Sequence, residues 1–327
     1  MSPDILILGQ ITVDDTVPAN PGPWCRQLGG NALYAVAGAR LWCDPRQIGM
    51  VARLPANLPF DVHQMLENAG LTAEGLAPVE IEPLIEWIVY EEDGNRQSLP
   101  RNPGLRDPRA GVQQLFQRYL QHLAGLSASC EDIPVKWLPA NAIHLSPQVL
   151  ERHAQSCCTL AGQTKFLSID PSPHYSRSRK VSELADTLTG ATAFLPSEAE
   201  VQHLADANAD WPSVVMALRR AGFAEVVLKR GAAGALLAAA GTDEVVALPA
   251  ANACPVDLTG AGDAFSGAYA ASRALGYSPR DAGARAAVAA AMIVECSGTS
   301  EALLLRPQDA EVRLHNYLRY VCHLTMI

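Results

Sequence analysis

The sequence predicts an α/β fold: a mostly parallel sheet with helices on both faces. Three observations predict it. Short apolar runs alternate with longer helical patterns, the same rhythm returns in the second half, and the composition supplies a large core. Of 327 residues 49% are apolar and 18% charged, the balance of an ordinary globular chain rather than a disordered one. The first half reads "DILILG", "ALYAVAGARLW", "QIGMVA" and "FDVHQMLENAG", that is strand, helix, strand, helix. The second half carries strand-like runs in "NAIHLS", "KFLSIDPS", "ATAFLPS", "AEVVLKRG" and "GALLAAA", each separated by helical or turn-like sequence. Parallel strands need such crossovers. The opening "ILIL" is too short, and lacks a positive flank, for a signal peptide or membrane span, so it reads as the first buried strand.

Residues 81–100, "IEPLIEWIVYEEDGNRQSLP", break the rhythm, because two strand-like runs flank a "DGN" turn with no helix nearby. This is a hairpin pattern, and a hairpin leaving an α/β sheet suits a lid over a ligand cleft. An ordinary edge hairpin fits the same residues. The alanine-rich tract at 282–293 reads as a tightly packed helix, and no internal repeat is present. A formal charge of −9 works against nucleic acid or anionic lipid as a partner. The eight cysteines include no CxxC pair, which points away from zinc and toward a reduced cytoplasm. The vicinal Cys157–Cys158 pair admits a redox role, but ordinary buried thiols explain it as well. His144 and His174 show no ligand spacing and read as packed or surface histidines.

The chemistry is concentrated in "DLTGAGDAF", residues 257–265. A helix whose first turn is "GAGD" offers unpaired main-chain amides at its positive end, where an anion such as phosphate binds. Small residues let the anion come close. Asp263 then lies near enough to take a proton from a hydroxyl attacking that anion, with Gly260, Ala261 and Gly262 as the hole for developing charge. An aspartate that only caps or charges a helix start fits the same letters.

The stretch "DLTGAGDAFSGAYA" (257–270) resembles the C-terminal signature of the ribokinase-like, or PfkB, family of carbohydrate and nucleoside kinases. The resemblance spans nearly the whole chain and implies a ribokinase-like fold, one kinase domain over 1–327, with a small β-sheet lid formed by about 10–28 and 81–103. By match it makes Asp263 the base and the amides of Gly260, Ala261 and Gly262 the anion hole. Asp257 and Thr259 fall where relatives bind a monovalent cation such as K⁺ and ATP phosphates; Leu258 departs from the commoner small or β-branched residue. "GQITVD" (9–14) resembles the opening motif whose aspartate binds sugar hydroxyls, here Asp14 with Asp15 as a possible substitute. "GGNALYAVAGARL" (29–41) resembles the glycine-pair signature, with Gly29, Gly30 and Asn31 at the acceptor and Tyr34 where sugar kinases often have asparagine. "LPSEAEV" (195–201) resembles the NxxE motif: Glu200 matches the glutamate that organises Mg²⁺ through water, and Ser197 replaces the asparagine. "LKRGAAGA" (228–235) resembles the turn that brackets ATP, through Lys229, Gly231 and Gly234; a plain β-hairpin fits it too.

The order of these motifs along the chain matches that of the family. A Rossmann dehydrogenase would place GxGxxG directly after the first strand, and a Walker NTPase would show GxxxxGK[ST]; neither is present. The resemblance therefore implies transfer of the γ-phosphoryl of ATP, with Mg²⁺, to a hydroxyl of a small sugar-like substrate. A nucleoside acceptor, favoured by Tyr34, and a catalytically idle binding relative remain the alternatives. Family lids often pair between subunits, so a homodimer through the lid is expected.

Overall fold

The computed structural model describes residues 2–17, 25–90, 96–102, 105, 111–205 and 210–324. Its strands are β1 Ile5–Gly9, β2 Thr12–Val17, β3 Cys25–Gly29, β4 Ile48–Pro55, β5 Leu76–Val79, β6 Ile85–Tyr90, β7 Arg96–Pro100, β8 Ala140–Leu145, β9 Thr164–Ile169, β10 Ala193–Phe194, β11 Glu225–Lys229, β12 Ala235–Ala239 and β13 Val245–Leu248. The helices are α1 Asn31–Arg40, α2 Val62–Asn68, α3 Val112–Leu126, α4 Leu150–Leu160, α5 Pro173–Ser176, α6 Val181–Thr187, α7 Glu198–Val201, α8 Trp211–Arg220, α9 Ala261–Ala274, α10 Pro279–Ile293, α11 Gly298–Ala302 and α12 Pro307–Leu324.

The large sheet runs β13-β12-β11-β10-β9-β8-β1-β4-β5, parallel except for the β11–β12 and β12–β13 pairs. "ILILG" takes an interior place because every residue of it is buried, as a strand covered on both faces requires. Successive side chains of β1 enter opposite cores. Ile5 and Ile7 join α1, α9 and α10 on one face, while Leu6 and Leu8 join α4 and α8 on the other. From β1 the chain first builds outward through β4 and then returns to place β8 on the other flank. Strand order reverses there, and such a reversal opens a crevice at the carboxyl ends of the strands.

A second sheet, β3-β2-β6-β7, stands at that crevice because β2 and β3 leave directly from the end of β1. It consists of two antiparallel hairpins, β2–β3 and β6–β7, joined by a parallel β2–β6 pair. The hairpin expected over 81–100 is thus present as β6–β7; its "DGN" turn, 93–95, lies outside the described residues, as do 18–24, 91–92 and 103 of the segments expected to form the lid.

Alpha helices α1 and α9 lie side by side, apolar on nearly all sides and buried accordingly. Two glycines let their backbones meet. A Cβ on Gly38 would stand 2.1 Å from the Ala264 carbonyl oxygen, and one on Gly267 would stand 2.0 Å from that of Ala35. The "GGN" and "GAGD" motifs open these two helices, so this packing brings the motifs to one place.

Candidate active site

Helix α9 begins at Gly260, whose φ of 80° is a left-handed conformation that costs a residue with a side chain. Space also demands glycine here. A Cβ on Gly260 would fall 2.1 Å from the Tyr34 ring. Tyr34 is 3% exposed and its ring lies directly beneath the helix start. The following residues open outward: Gly262 is exposed, and Ala261 and Asp263 are half-buried. Asp263 occupies the third helical position, beside the first-turn amides, of which that of Ala261 donates to the Leu258 carbonyl at 3.4 Å. Ahead of the turn, Asp257 accepts from the Thr259 amide at 2.9 Å and from Gln27 Nε2 at 3.1 Å. Gln27 belongs to β3, so this contact ties the small sheet to the loop before α9.

Lys229 ends β11 and reaches the same turn. A Cβ on Gly262 would lie 3.5 Å from its Nζ. The ammonium pairs with Asp170 Oδ2 and donates to Ser266 Oγ at 3.2 Å, while Ser266 Oγ donates to the same Asp170 oxygen at 2.8 Å. Burial works to discharge this amine, but the carboxylates of Asp170, Glu200 and Asp263 outweigh it and hold Lys229 cationic. Glu200, on α7, accepts from the Ser197 amide at 2.7 Å, as an S-x-x-E helix start does. Burial first, then the charge of Asp170, pushes the Glu200 carboxyl up to about 7. Ser197 lies beside Lys229 in a single parallel bridge, which joins the "PSEAE" segment to the end of β11.

On the acceptor side, Asp14 is 3% exposed and accepts from Thr12 Oγ1 at 2.8 Å. Its carboxylate lies so close to Gly29 that a Cβ there would meet Asp14 Oδ2 at 1.9 Å. Asp15 points to the opposite face of β2, as strand alternation requires. There it is paired with Arg26, at 2.8 and 2.9 Å, and with Arg101. Asn31 joins the end of β1 to the loop after β8: its Oδ1 accepts from the Gln10 amide at 2.8 Å and its Nδ2 donates to the Pro147 carbonyl at 2.7 Å. Gly30 caps α1.

The "LKRGAAGA" segment is the turn of the β11–β12 hairpin. Within it the Arg230 amide donates to the Gly234 carbonyl at 2.8 Å and the Gly234 amide to that of Gly231 at 3.0 Å. The structure therefore gathers Lys229, Glu200, Ser197, Gly262 and Asp263 around one helix start, with Asp257 and Thr259 just before it. Asp14 and Gly29 meet on the small sheet. Asp170 is the residue that motif reading missed; a carboxylate at the carboxyl end of a central strand, in "SIDPS", is the signal that marks it. One of its oxygens, Oδ1, is buried without a hydrogen-bond partner among the described residues. His144 is buried against Ser168 Oγ at 3.0 Å, and His174 packs against Tyr119. Cys157 is buried, which pushes its thiol up to about 12, while Cys158 is exposed.

Three comparisons bear on this arrangement. A curated cytidine kinase of Thermococcus kodakarensis is 24% identical over 277 residues, covering 84% of this chain and 88% of its own length. A Burkholderia thailandensis nucleoside kinase, solved with inosine, superposes with a TM-score of 0.72 at 16% identity, covering 96% of this chain and 97% of that one. An Arabidopsis thaliana ribokinase, solved with ribose and ATP, superposes with a TM-score of 0.62 at 19% identity, covering 96% and 99%. At such identities these structures show a shared ribokinase-like fold. The family model described as pfkB family carbohydrate kinase matches residues 64–305, and the chain belongs to that family.

Proposed function

We propose that this kinase transfers the γ-phosphoryl group of ATP to a hydroxyl of a small sugar or nucleoside, with Asp263 as the general base. The observation that carries this reading is the start of α9: a half-open carboxylate in the first turn, amides beside it, and the cationic Lys229 against the same turn. A carboxylate next to a bound phosphate is repelled by it, and the placement is useful where a proton must be taken there, which favours chemistry over anion storage. Asp263 takes the proton of the acceptor hydroxyl as it attacks. The amides of Gly260, Ala261 and Gly262, with Lys229, hold the phosphoryl oxygens in place. Asp14 and the Gly29–Gly30 turn hold the acceptor, and the small sheet excludes water from it. Thr259 and the turn at Gly231 and Gly234 line the path of the nucleotide.

For Mg²⁺, no three metal-ligating side chains converge among the described residues. What is present is a pair of neighbouring buried carboxylates, Glu200 and Asp170, with Asp170 Oδ1 unpartnered. That donor set fits an ion that keeps several waters and takes its other ligands from phosphate oxygens. Glu200 and Asp170 would hold Mg²⁺ through its waters, and the ion would supply positive charge to the transferring phosphoryl group. Asp257 accepts one donor on each oxygen, so we assign it to ordering the loop before the anion hole, with lone pairs left on both oxygens for a K⁺ ion.

The nucleoside reading of the acceptor is favoured by the cytidine kinase similarity, which spans most of both chains. A magnesium–ATP assay with ADP release as readout, run against sugars and nucleosides, separates the two. Asp263→Asn should keep ATP binding and lower turnover by a factor on the order of 10² or more. Near-normal phosphorylation by that variant overturns the assignment.

A further inference from the structure

We propose that Gln27 is a positioning residue that couples the acceptor side of the site to the anion hole, so that each substrate tightens the binding of the other. The inference rests on the kinase reading above and deepens it. Strand register sets Gln27 of β3 directly opposite Asp14 of β2, and strand alternation puts Gly29 and Thr16 on that same face. Gln27 is therefore the neighbour of the carboxylate assigned to the acceptor. A primary amide has two N–H donors, and both are used here. Nε2 donates to Thr16 Oγ1 at 3.1 Å, within its own sheet, and to Asp257 Oδ2 at 3.1 Å, in the loop before α9. Beyond Asp257 the path is short. Asp257 Oδ1 accepts from the Thr259 amide at 2.9 Å, and Thr259 precedes Gly260, where α9 and the proposed anion hole begin.

The surroundings hold this amide in one place. A Cβ on Gly298 would overlap Gln27 Oε1, so the glycine that starts α11 leaves the side chain its room. The next residue, Thr299, is fully buried and donates to the Leu28 carbonyl at 2.6 Å, which fixes β3 against α11. The loop before α9 is anchored nearby, because the amides of Val256 and Asp257 donate to the Val294 carbonyl at 2.7 and 3.1 Å. An acceptor held at Asp14 orders β2 and β3, and with them the amide that orients Asp257. A phosphate held at the start of α9 orders the Thr259–Gly260 turn, and with it the same carboxylate. Whichever ligand binds first leaves less ordering for the second, and such coupling is reciprocal.

The test uses the full chain with Mg²⁺, the β,γ-imido analogue of ATP, and the sugar or nucleoside that the wild type phosphorylates best. Titration calorimetry gives the Kd of the analogue without and with that acceptor at saturation. For the wild type the ratio of these two values should be about ten, within the usual range for coupled sites. Gln27→Leu keeps the bulk of the side chain and removes its donors, and should bring the ratio below about two. The same variant should lower kcat about tenfold, because the acceptor and the anion hole are no longer ordered together. A merely structural Gln27 would lower the unfolding temperature or weaken both ligands alike, and would leave the ratio where it was. Should Gln27→Leu fold poorly, Thr16→Val removes the inner partner of the same amide and should lower the ratio in the same direction. A ratio near one in the wild type, or an unchanged ratio in both variants, overturns this inference while leaving the kinase reading intact; no turnover of any sugar or nucleoside by the wild type overturns both.

Discussion

Lys229 shows how a single residue acquires chemistry from its surroundings. On its own a lysine this buried would shed its proton, yet three carboxylates around it keep it charged. Asp170 is the one in direct contact. Replacing Asp170 by Asn should therefore let the amine lose its proton at lower pH, moving the alkaline limb of the kcat–pH profile downward and cutting kcat about tenfold or more near neutrality. A profile superimposable on that of the wild type would remove Lys229 from the reaction. At this scale motifs name Asp263, Glu200 and Lys229 by residue and spacing, and the structure brings these three to one helix start. It was not legible for Asp170, whose partner stands 59 positions away and is met only through the order of β9, β10 and β11. Tyr34 is a subtler case, since its letter does not show that its ring packs against the Gly260 turn.

Two helices decide where the base is held. Because Gly267 brings α9 within backbone contact of α1, Gly267→Ala must push the helices apart. We expect a loss of about 1–3 kcal/mol in thermal unfolding, the usual cost of overpacking, together with lower turnover because the start of α9 moves with the rest. Gly162→Ala, where an added Cβ meets nothing within 4 Å, serves as the control and should change neither. The strongly periodic elements were legible in the sequence: β1, β4, β8, β9, β11, β12, α1, α2 and α10 all follow their apolar patterns. Alternation did not mark the edge strands β5 and β13, because each has four residues and most of these are only half-buried. A short edge strand takes its place from the neighbour it pairs with.

Over the whole molecule, burial sets how stability responds to acid. His144 and His153 lie fully inside, and burial pulls them down to about 3 and about 4, the charge of Lys229 adding to the effect on His144. In the unfolded chain each would titrate near 6.5. Between those limits the unfolded state binds more protons at these two sites, so their contribution to stability is greatest above pH 6.5 and falls as the pH drops toward 4, opposed in part by Glu200, whose raised carboxyl is protonated first in the folded state. The slope should approach roughly 1.4 kcal/mol per pH unit for each of the two histidines. Denaturant unfolding at pH 7, 6 and 5 measures it, and His153→Asn should remove one histidine's share of the slope; a difference between wild type and variant that is independent of pH over that interval would contradict the burial of the His153 ring. What the sequence determined by itself was the alternation of strands and helices and the order of the motifs, because side-chain periodicity, helix starts and glycine turns are written in neighbouring residues. The tertiary structure alone decided which distant residues face one another. Gln27 meets Asp257 across 230 positions, and Glu86 stands beside Asp14 while Asp15 turns to the arginines. Such meetings depend on strand register and helix packing, which arise only when the whole core is buried at once.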